Sequence, residues 1–421
     1  MSAPVRIERV EDGRLCVVTP LNTPPDTGTD TDAGTGTSMG MGTGTGPSVL
    51  DAAPDVDVAV LEVAGGHLAW SVTALEALPV AVLDDPVRAQ DWLWAVYGED
   101  VAIALSAIAL SAIALSAIAA GKGLQDLRAP AAPALPELLA SARRLAFAHW
   151  AARWWPASVI DAVPPLDEGL LAAEIGELTD ECDLLLGAED REGEWEWEQE
   201  QEQEREQERE RAGAGEGSAP VGDRPHSAPR ATDYALAAGP ATTTAATAEA
   251  DGMTLSRGTG GSDWRRYPPG LIDASERAVS WEVVRASART TLTVRAVAAP
   301  GPATVDPRLT PRATVDGASG PLEVGLRLVD DLWLGSAGLP DPHTGGLTVD
   351  LHLPGFGTPP RLPDEDRATH QEAAAHEDRA ARRAVRTRVR NFVRHRLSGA
   401  PSATPLLRAE IAAAADDESD F

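Results

Sequence analysis

The sequence predicts an α+β protein: an N-terminal domain of β-hairpins plus helices, then a C-terminal immunoglobulin-like β-sandwich followed by a basic helix. Three observations carry this reading. Alternating apolar runs flank Asp12-Gly13 and Gly65-Gly66, as paired strands around tight turns do. Long stretches without turn residues follow, from Pro86 to Leu186. Beyond Asp263, short alternating runs recur with Pro/Gly-rich breaks between them, the rhythm of a small sandwich.

In chain order, VRIERV and RLCVV form the first predicted hairpin. Residues 21–47 are rich in Thr, Gly and Asp and predict a disordered loop. Val56, Val58 and Val60, then Leu68, Trp70 and Val72, give a second hairpin. Helices are expected from Pro86 through a tandem repeat, from Pro136 to Trp155, and from Pro165 to Leu186. Together these make an α+β domain over 1–187. The acidic, low-complexity stretch 188–262, which contains EWEWEQEQEQEREQERER, cannot build a core and predicts a linker. The runs WEVV, TLTVRAVA, ATVDG, LEVGLRLV, LWLGSA and LTVDLHL supply six strands for a sandwich over 263–358, with Trp281 and Trp333 as expected core. An Arg-rich amphipathic helix is expected over 364–398, and 399–421 as a tail.

Val101–Ala120 has no charge, a length that could span a bilayer. Its five-residue period, Leu-Ser-Ala-Ile-Ala, advances about 140° around a helix per copy and so favours no face. Its Ala and Ser content makes insertion weak, which favours a buried helix over a membrane span at 101–120. The charged start, MSAPVRIERVEDG, does not read as a signal peptide. Two cysteines, Cys16 and Cys182, form no disulfide or thiolate framework, so the expected location is cytoplasmic. A net charge of −29 argues against general nucleic-acid affinity.

No motif assembles a catalytic set, a cofactor site or a metal site. Asp26-Thr27-Gly28 lacks the apolar strand that an aspartic-protease loop needs. Asp30 and Asp32 lack a closing glutamate for calcium, and Lys122 lacks the Ser or Thr of a phosphate loop. Gly335-Ser336-Ala337-Gly338 has the wrong glycine spacing for a nucleophile elbow. Asp350 and His352 share a strand face near His343, but fixed three-ligand geometry is not evident. Glu174, Glu177 and Glu181 read as a solvated helix face.

Two surfaces remain as interaction candidates. Arg143, Arg144 and Arg153 interleave with Phe147, Trp150, Trp154 and Trp155, where guanidinium groups can stack on indoles. Of these, Arg143, Arg153, Trp154 and Trp155 are the residues expected to meet a partner. The last helix carries nine arginines between Arg367 and Arg396 against three acids, beside an apolar stripe of Ala381, Val385, Val389, Phe392 and Val393. Arg379, Arg382, Arg383, Arg386 and Arg390 are its candidate contacts. The stripe is expected either to dock on this protein or to present the arginines to an acidic partner.

The runs HWAARWWP (His149 to Pro156), YALAAG (Tyr234 to Gly239) and YPPGLIDASERAVSW (Tyr267 to Trp281) resemble an uncharacterised family of large proteins from high-GC Gram-positive bacteria. The resemblance spans residues 140–285, about a third of the chain, and implies no activity or catalytic residue. The expected function is a non-catalytic scaffold or regulatory interaction protein whose partner is another protein. The alternatives are a hydrolase-like enzyme built from distant residues, with His149 or His352 as base, and a nucleic-acid or membrane-surface binder through residues 366–398.

Overall fold

Strand patterning in the front half builds one sheet from two hairpins and a strand between them. The computed structural model describes residues 3–9, 16–20, 55–73, 78–115, 127–187, 252–287, 289–301, 309–316, 321–339, 347–357, 368–399 and 404–418. The Asp12-Gly13 turn, residues 21–47, Lys122, the acidic run, the Tyr234–Gly239 run and His343 lie outside them. Strands β1 (Ala3–Arg9) and β2 (Cys16–Pro20) pair antiparallel, as do β3 (Val58–Val63) and β4 (Gly66–Ser71). Strand β5 (Val80–Leu83) lies between the hairpins, bonded to both β2 and β4. All four of its residues are buried, so it lacks the alternation that marks a half-exposed strand. Strand β6 (Leu127–Ala131) closes the other edge and completes the order β3-β4-β5-β2-β1-β6. Its Pro130 is tolerated because an edge strand can spare an amide.

The turn between β3 and β4 needs glycine at Gly65, whose φ is +78°. Its carbonyl accepts the Asp84 and Asp85 amides, and an added Cβ would lie 2.3 Å from the Asp85 carbonyl oxygen.

Where one helix is expected from Pro86 through the repeat, the chain forms two: α1 (Gln90–Tyr97) and α2 (Glu99–Leu115). Gly98 separates them at φ +88°, in a close approach to the Ala132 carbonyl that a side chain would block. The first turns of α2 bury Val101, Ala102 and Leu105 while Ile103 stays 59% exposed. Among the described residues no helix is long and apolar enough to cross a membrane. Helix α3 (Pro136–Trp154) opens with proline at its first position, where the missing amide costs nothing. It packs on β3 and on α4 (Glu168–Leu186), and its Trp150 indole donates to the Val56 carbonyl at 2.7 Å.

The second half begins earlier than its sequence suggests. Strand β7 (Met253–Gly260) occupies residues that read as linker, because its Gly/Thr/Arg content carries little apolar signal. A short 3-10 turn, Trp264–Arg266, leads to β8 (Val279–Ala286) and β9 (Arg289–Val297). The chain then crosses to a second sheet for β10 (Arg312–Asp316) and β11 (Leu322–Gly325). It returns for β12 (Arg327–Val329) and β13 (Leu332–Leu339), and crosses again for β14 (Thr348–His352). The sheet orders are β12-β13-β9-β8-β7 and β11-β10-β14. Val283, Leu292 and Val294 from the first sheet share a core with Val315, Val324 and Leu351 from the second. Trp333 is buried there, its indole donating to the Leu271 carbonyl. Trp281 is half-buried and packs against this core, with its ring over Gly258 of β7, where an added Cβ would sit 2.2 Å from the indole.

Two helices follow, α5 (Ala368–Leu397) and α6 (Arg408–Glu418); α6 falls in the expected tail. Met1–Leu186 and Gly252–Phe421 together make one compact unit. Asp273, wholly buried, is one of the ties across it. Its carboxylate accepts the Ser158 hydroxyl and the Val159 and Ser275 amides, each at 2.8 Å.

Candidate functional site

The apolar stripe of α5 docks on this protein. Val389 and Val393 are fully buried, and Phe392 meets Phe147 of α3 edge-on at 6.1 Å between ring centroids. Burial of the stripe takes Arg386, Arg390 and Arg396 inward, where each must find a carboxylate or a carbonyl, while Arg382, Arg383, Arg388 and Arg394 pair nearer the surface. Arg386 forks onto Glu276, with Nε to Oε1 at 2.7 Å and Nη2 to Oε2 at 3.1 Å. Arg390 donates to the Ala274 carbonyl at 3.0 Å and to Glu276, with Asp161 3.6 Å away. Arg382 reaches Asp263 at 3.2 Å and Arg388 reaches Asp57 at 3.0 Å. Arg383 lies 3.6 Å from Glu276, and Arg394 lies 3.2 Å from Asp161.

Asp263 balances two opposing influences. Burial disfavours its charge, but hydrogen bonds from Arg265 and the nearby Arg382 outweigh this and hold its pKa below the usual range. Seven of the α5 arginines, counting Arg396, thus pair with carboxylates of the same chain, while Arg379 is exposed. No sequence pattern announced Asp57, Asp161, Asp263 or Glu276 as their counterions, because each is a lone acid far away in the chain.

Arg396 is the most enclosed of the set at 1% exposure, against Glu410 of α6 at 0%. Its Nε and Nη2 donate to the two Glu410 oxygens at 2.6 Å each. It also donates to the Thr404 and Pro405 carbonyls and lies 4.4 Å from the Phe147 ring centroid. Glu410 in turn accepts the Leu407 amide at 2.7 Å, half of a capping box at the start of α6. The Arg408 amide, also at that start, donates to Glu174 of α4 at 2.7 Å. Glu174 is therefore buried, held by Arg144 as well, and not on a solvated face; Glu177 pairs at the surface with Arg408.

The aromatic stripe of α3 divides. Phe147 and Trp150 stack in the core at 5.2 Å, and Arg143 is half-buried. Arg153, Trp154 and Trp155 instead line a cleft with Trp264, Tyr267 and Ile272, so the His149–Pro156 and Tyr267–Trp281 runs meet there. The Arg153 guanidinium lies 4.3 Å from the Trp154 ring centroid and 5.0 Å from that of Phe356. Its Nη1 is buried and has no hydrogen-bond partner, and burial lowers its pKa. The polar ends of two wall residues are engaged elsewhere. Trp155 donates to the Pro164 carbonyl at 2.9 Å, and the Tyr267 hydroxyl lies 2.5 Å from that of Ser262. The cavity is about 30 Å³. At about 10–15 Å³ per water position, it admits two small polar atoms.

The remaining candidates do not converge with this cleft. His149 stands exposed on α3, with its pKa lowered by partial burial despite Glu62. His352 on β14 approaches the Thr314 hydroxyl at 3.4 Å; burial and Arg266 lower its pKa. Asp350 is 4.0 Å from Arg266. Among the described residues no three His, Cys, Asp or Glu side chains are placed to hold a metal. Cys182 is a free, buried thiol whose pKa is pushed up to about 12 by burial, with Glu181 and Asp183 adding to it, so it is a poor nucleophile. Comparison with protein-family models, with curated proteins and with solved structures returned no match to the chain.

Proposed function

We propose that this chain is a non-catalytic interaction protein, working in the cytoplasm, that holds a partner protein through the Arg153 cleft. One observation carries the reading: the Arg153 guanidinium, close to the rings of Trp154 and Phe356, keeps a buried nitrogen without an acceptor. Leaving such a donor unmatched costs about 1–3 kcal/mol or more, a cost that an acceptor relieves once the guanidinium turns to bring this nitrogen to the cleft. The α5 arginines support a clasp role, since seven of them already face carboxylates of this chain. That argues against the helix as a nucleic-acid or membrane surface.

The strand orders support the immunoglobulin-like reading. Strands β8, β9, β13 and β12 take the places of A, B, E and D, and β10, β11 and β14 those of C, C′ and F. Such a sandwich is a frequent platform for recognition, though fold alone assigns no function.

The test is affinity capture with the full chain and with Arg153→Gln, followed by reconstitution from purified components. The expected result is one protein recovered in stoichiometric amount by the natural chain and lost with the variant. Equal recovery by both would remove the cleft from the interaction.

A further inference from the structure

The cleft's size and charge narrow what it binds. Resting on the interaction reading above, we infer that the Arg153 cleft is a carboxylate-binding site, taking a single carboxylate attached to an apolar body. Its cavity of about 30 Å³ matches the two oxygens of one carboxylate at about 10–15 Å³ each. A phosphate offers more oxygens and more charge than this space and one arginine accommodate.

The walls give the same answer. Trp155, Trp264, Tyr267, Pro269 and Ile272 are aromatic or apolar, suited to a hydrocarbon portion beside the charged group. The Arg153 guanidinium lies near the rings of Trp154 and Phe356, and its planar fork is of the kind that receives a carboxylate. The overall charge of −29 opposes polyanions at long range but leaves a monoanion a favourable local contact. Arg266, on the 3-10 turn beside Trp264 and Tyr267, also has a buried nitrogen, Nη2, without a hydrogen-bond partner. Its backbone carbonyl accepts the Leu353 amide, at the foot of the turn that carries Phe356.

The same chemistry has two sources, a free small acid and the carboxylate end of a polypeptide. Calorimetric titration of the full chain separates them, with acetate, N-acetylphenylalanine, N-acetylphenylalanine amide, inorganic phosphate, and a hexapeptide ending in Phe with a free or amidated terminus. N-acetylphenylalanine is expected to bind about tenfold or more tightly than its amide, with that preference lost in Arg153→Gln. Binding of the small acids with exclusion of the hexapeptide assigns a free acid; tighter binding of the free-ended hexapeptide assigns a chain terminus, and either supports the inference. Equal binding of acid and amide, or phosphate bound as tightly as carboxylate, overturns the carboxylate assignment. If Arg153→Gln still abolishes partner capture in that event, the interaction reading survives alone.

A thermal melt of Arg153→Met supplies an independent readout. A ligand-binding arginine with an unmatched donor predicts an unchanged or raised midpoint. A lowered midpoint with unchanged acid binding makes Arg153 a packing residue and refutes the site.

Discussion

Replacing Glu410 by glutamine tests the buried pair that fastens α6 to α5. The change keeps shape but removes the charge facing Arg396, which is 1% exposed. Two charge-assisted hydrogen bonds at 2.6 Å are at stake, each contributing about 1.5–3 kcal/mol. The glutamine oxygen can keep one acceptor role. The Thr404 and Pro405 carbonyls and the Phe147 ring still face the cation. The loss should therefore sit at the lower end of the about 3–5 kcal/mol expected for orphaning a buried charge. With a urea slope near the upper end of about 1–3 kcal/mol per molar, the midpoint drops by about 1 M. Urea titration followed by tryptophan fluorescence reads this, and hydrogen exchange reports whether α6 opens first. The double variant Arg396→Met with Glu410→Met should be less destabilised than Glu410→Gln alone, since no charge is left stranded. A midpoint for Glu410→Gln within about 0.2 M of the natural chain would refute the pair's structural role.

Two further expectations follow from the buried acids. Asp273→Asn should destabilise the unit by about 1–3 kcal/mol, measured by urea titration. One carboxylate oxygen accepts the Ser158 hydroxyl and Ser275 amide while the other accepts the Val159 amide, and an asparagine must turn its NH₂ toward one of these donors. A change below about 0.5 kcal/mol would contradict this accounting. Asp263, with a depressed folded pKa, contributes stability that is complete above its unfolded value of about 3.9 and is lost as pH falls through the lower folded value. Melting midpoints taken from about pH 5 to pH 2 should fall over that window, and fall less steeply in Arg382→Gln. Identical profiles for the two proteins would exclude the Arg382 contribution.

Local pattern made much of this fold legible. The alternation of Val58 to Val60 and Leu68 to Val72 around glycine gave the β3-β4 hairpin, and continuous helical stretches placed α3 and α4 within three residues of their observed starts. Elements without such pattern were not legible. Strand β5 has no exposed face to alternate, β7 is mostly small and polar, and α6 owes its start to Glu410 and Glu174 more than to periodicity. In the site, the tryptophans and arginines of α3 stood out as residue types, whereas Phe356 came from a distant turn. The arginines of α5 read as a free basic surface by composition. Their counterions could be found only in three dimensions, since Asp57 and Arg388 are 331 residues apart.

That separation matters when the chain is made. Glu174 leaves the ribosome 234 residues before the Arg408 amide that it will cap. At about 5–20 residues per second, translation leaves the front half waiting about 10–50 s for α6. During that interval Glu174 has only Arg144 as its partner, and the surface that α5 and α6 later cover is open to water. Completion of this unit thus waits for α6, and a nascent chain stalled before Arg408 should be more open to proteases and chaperones than one that has passed it.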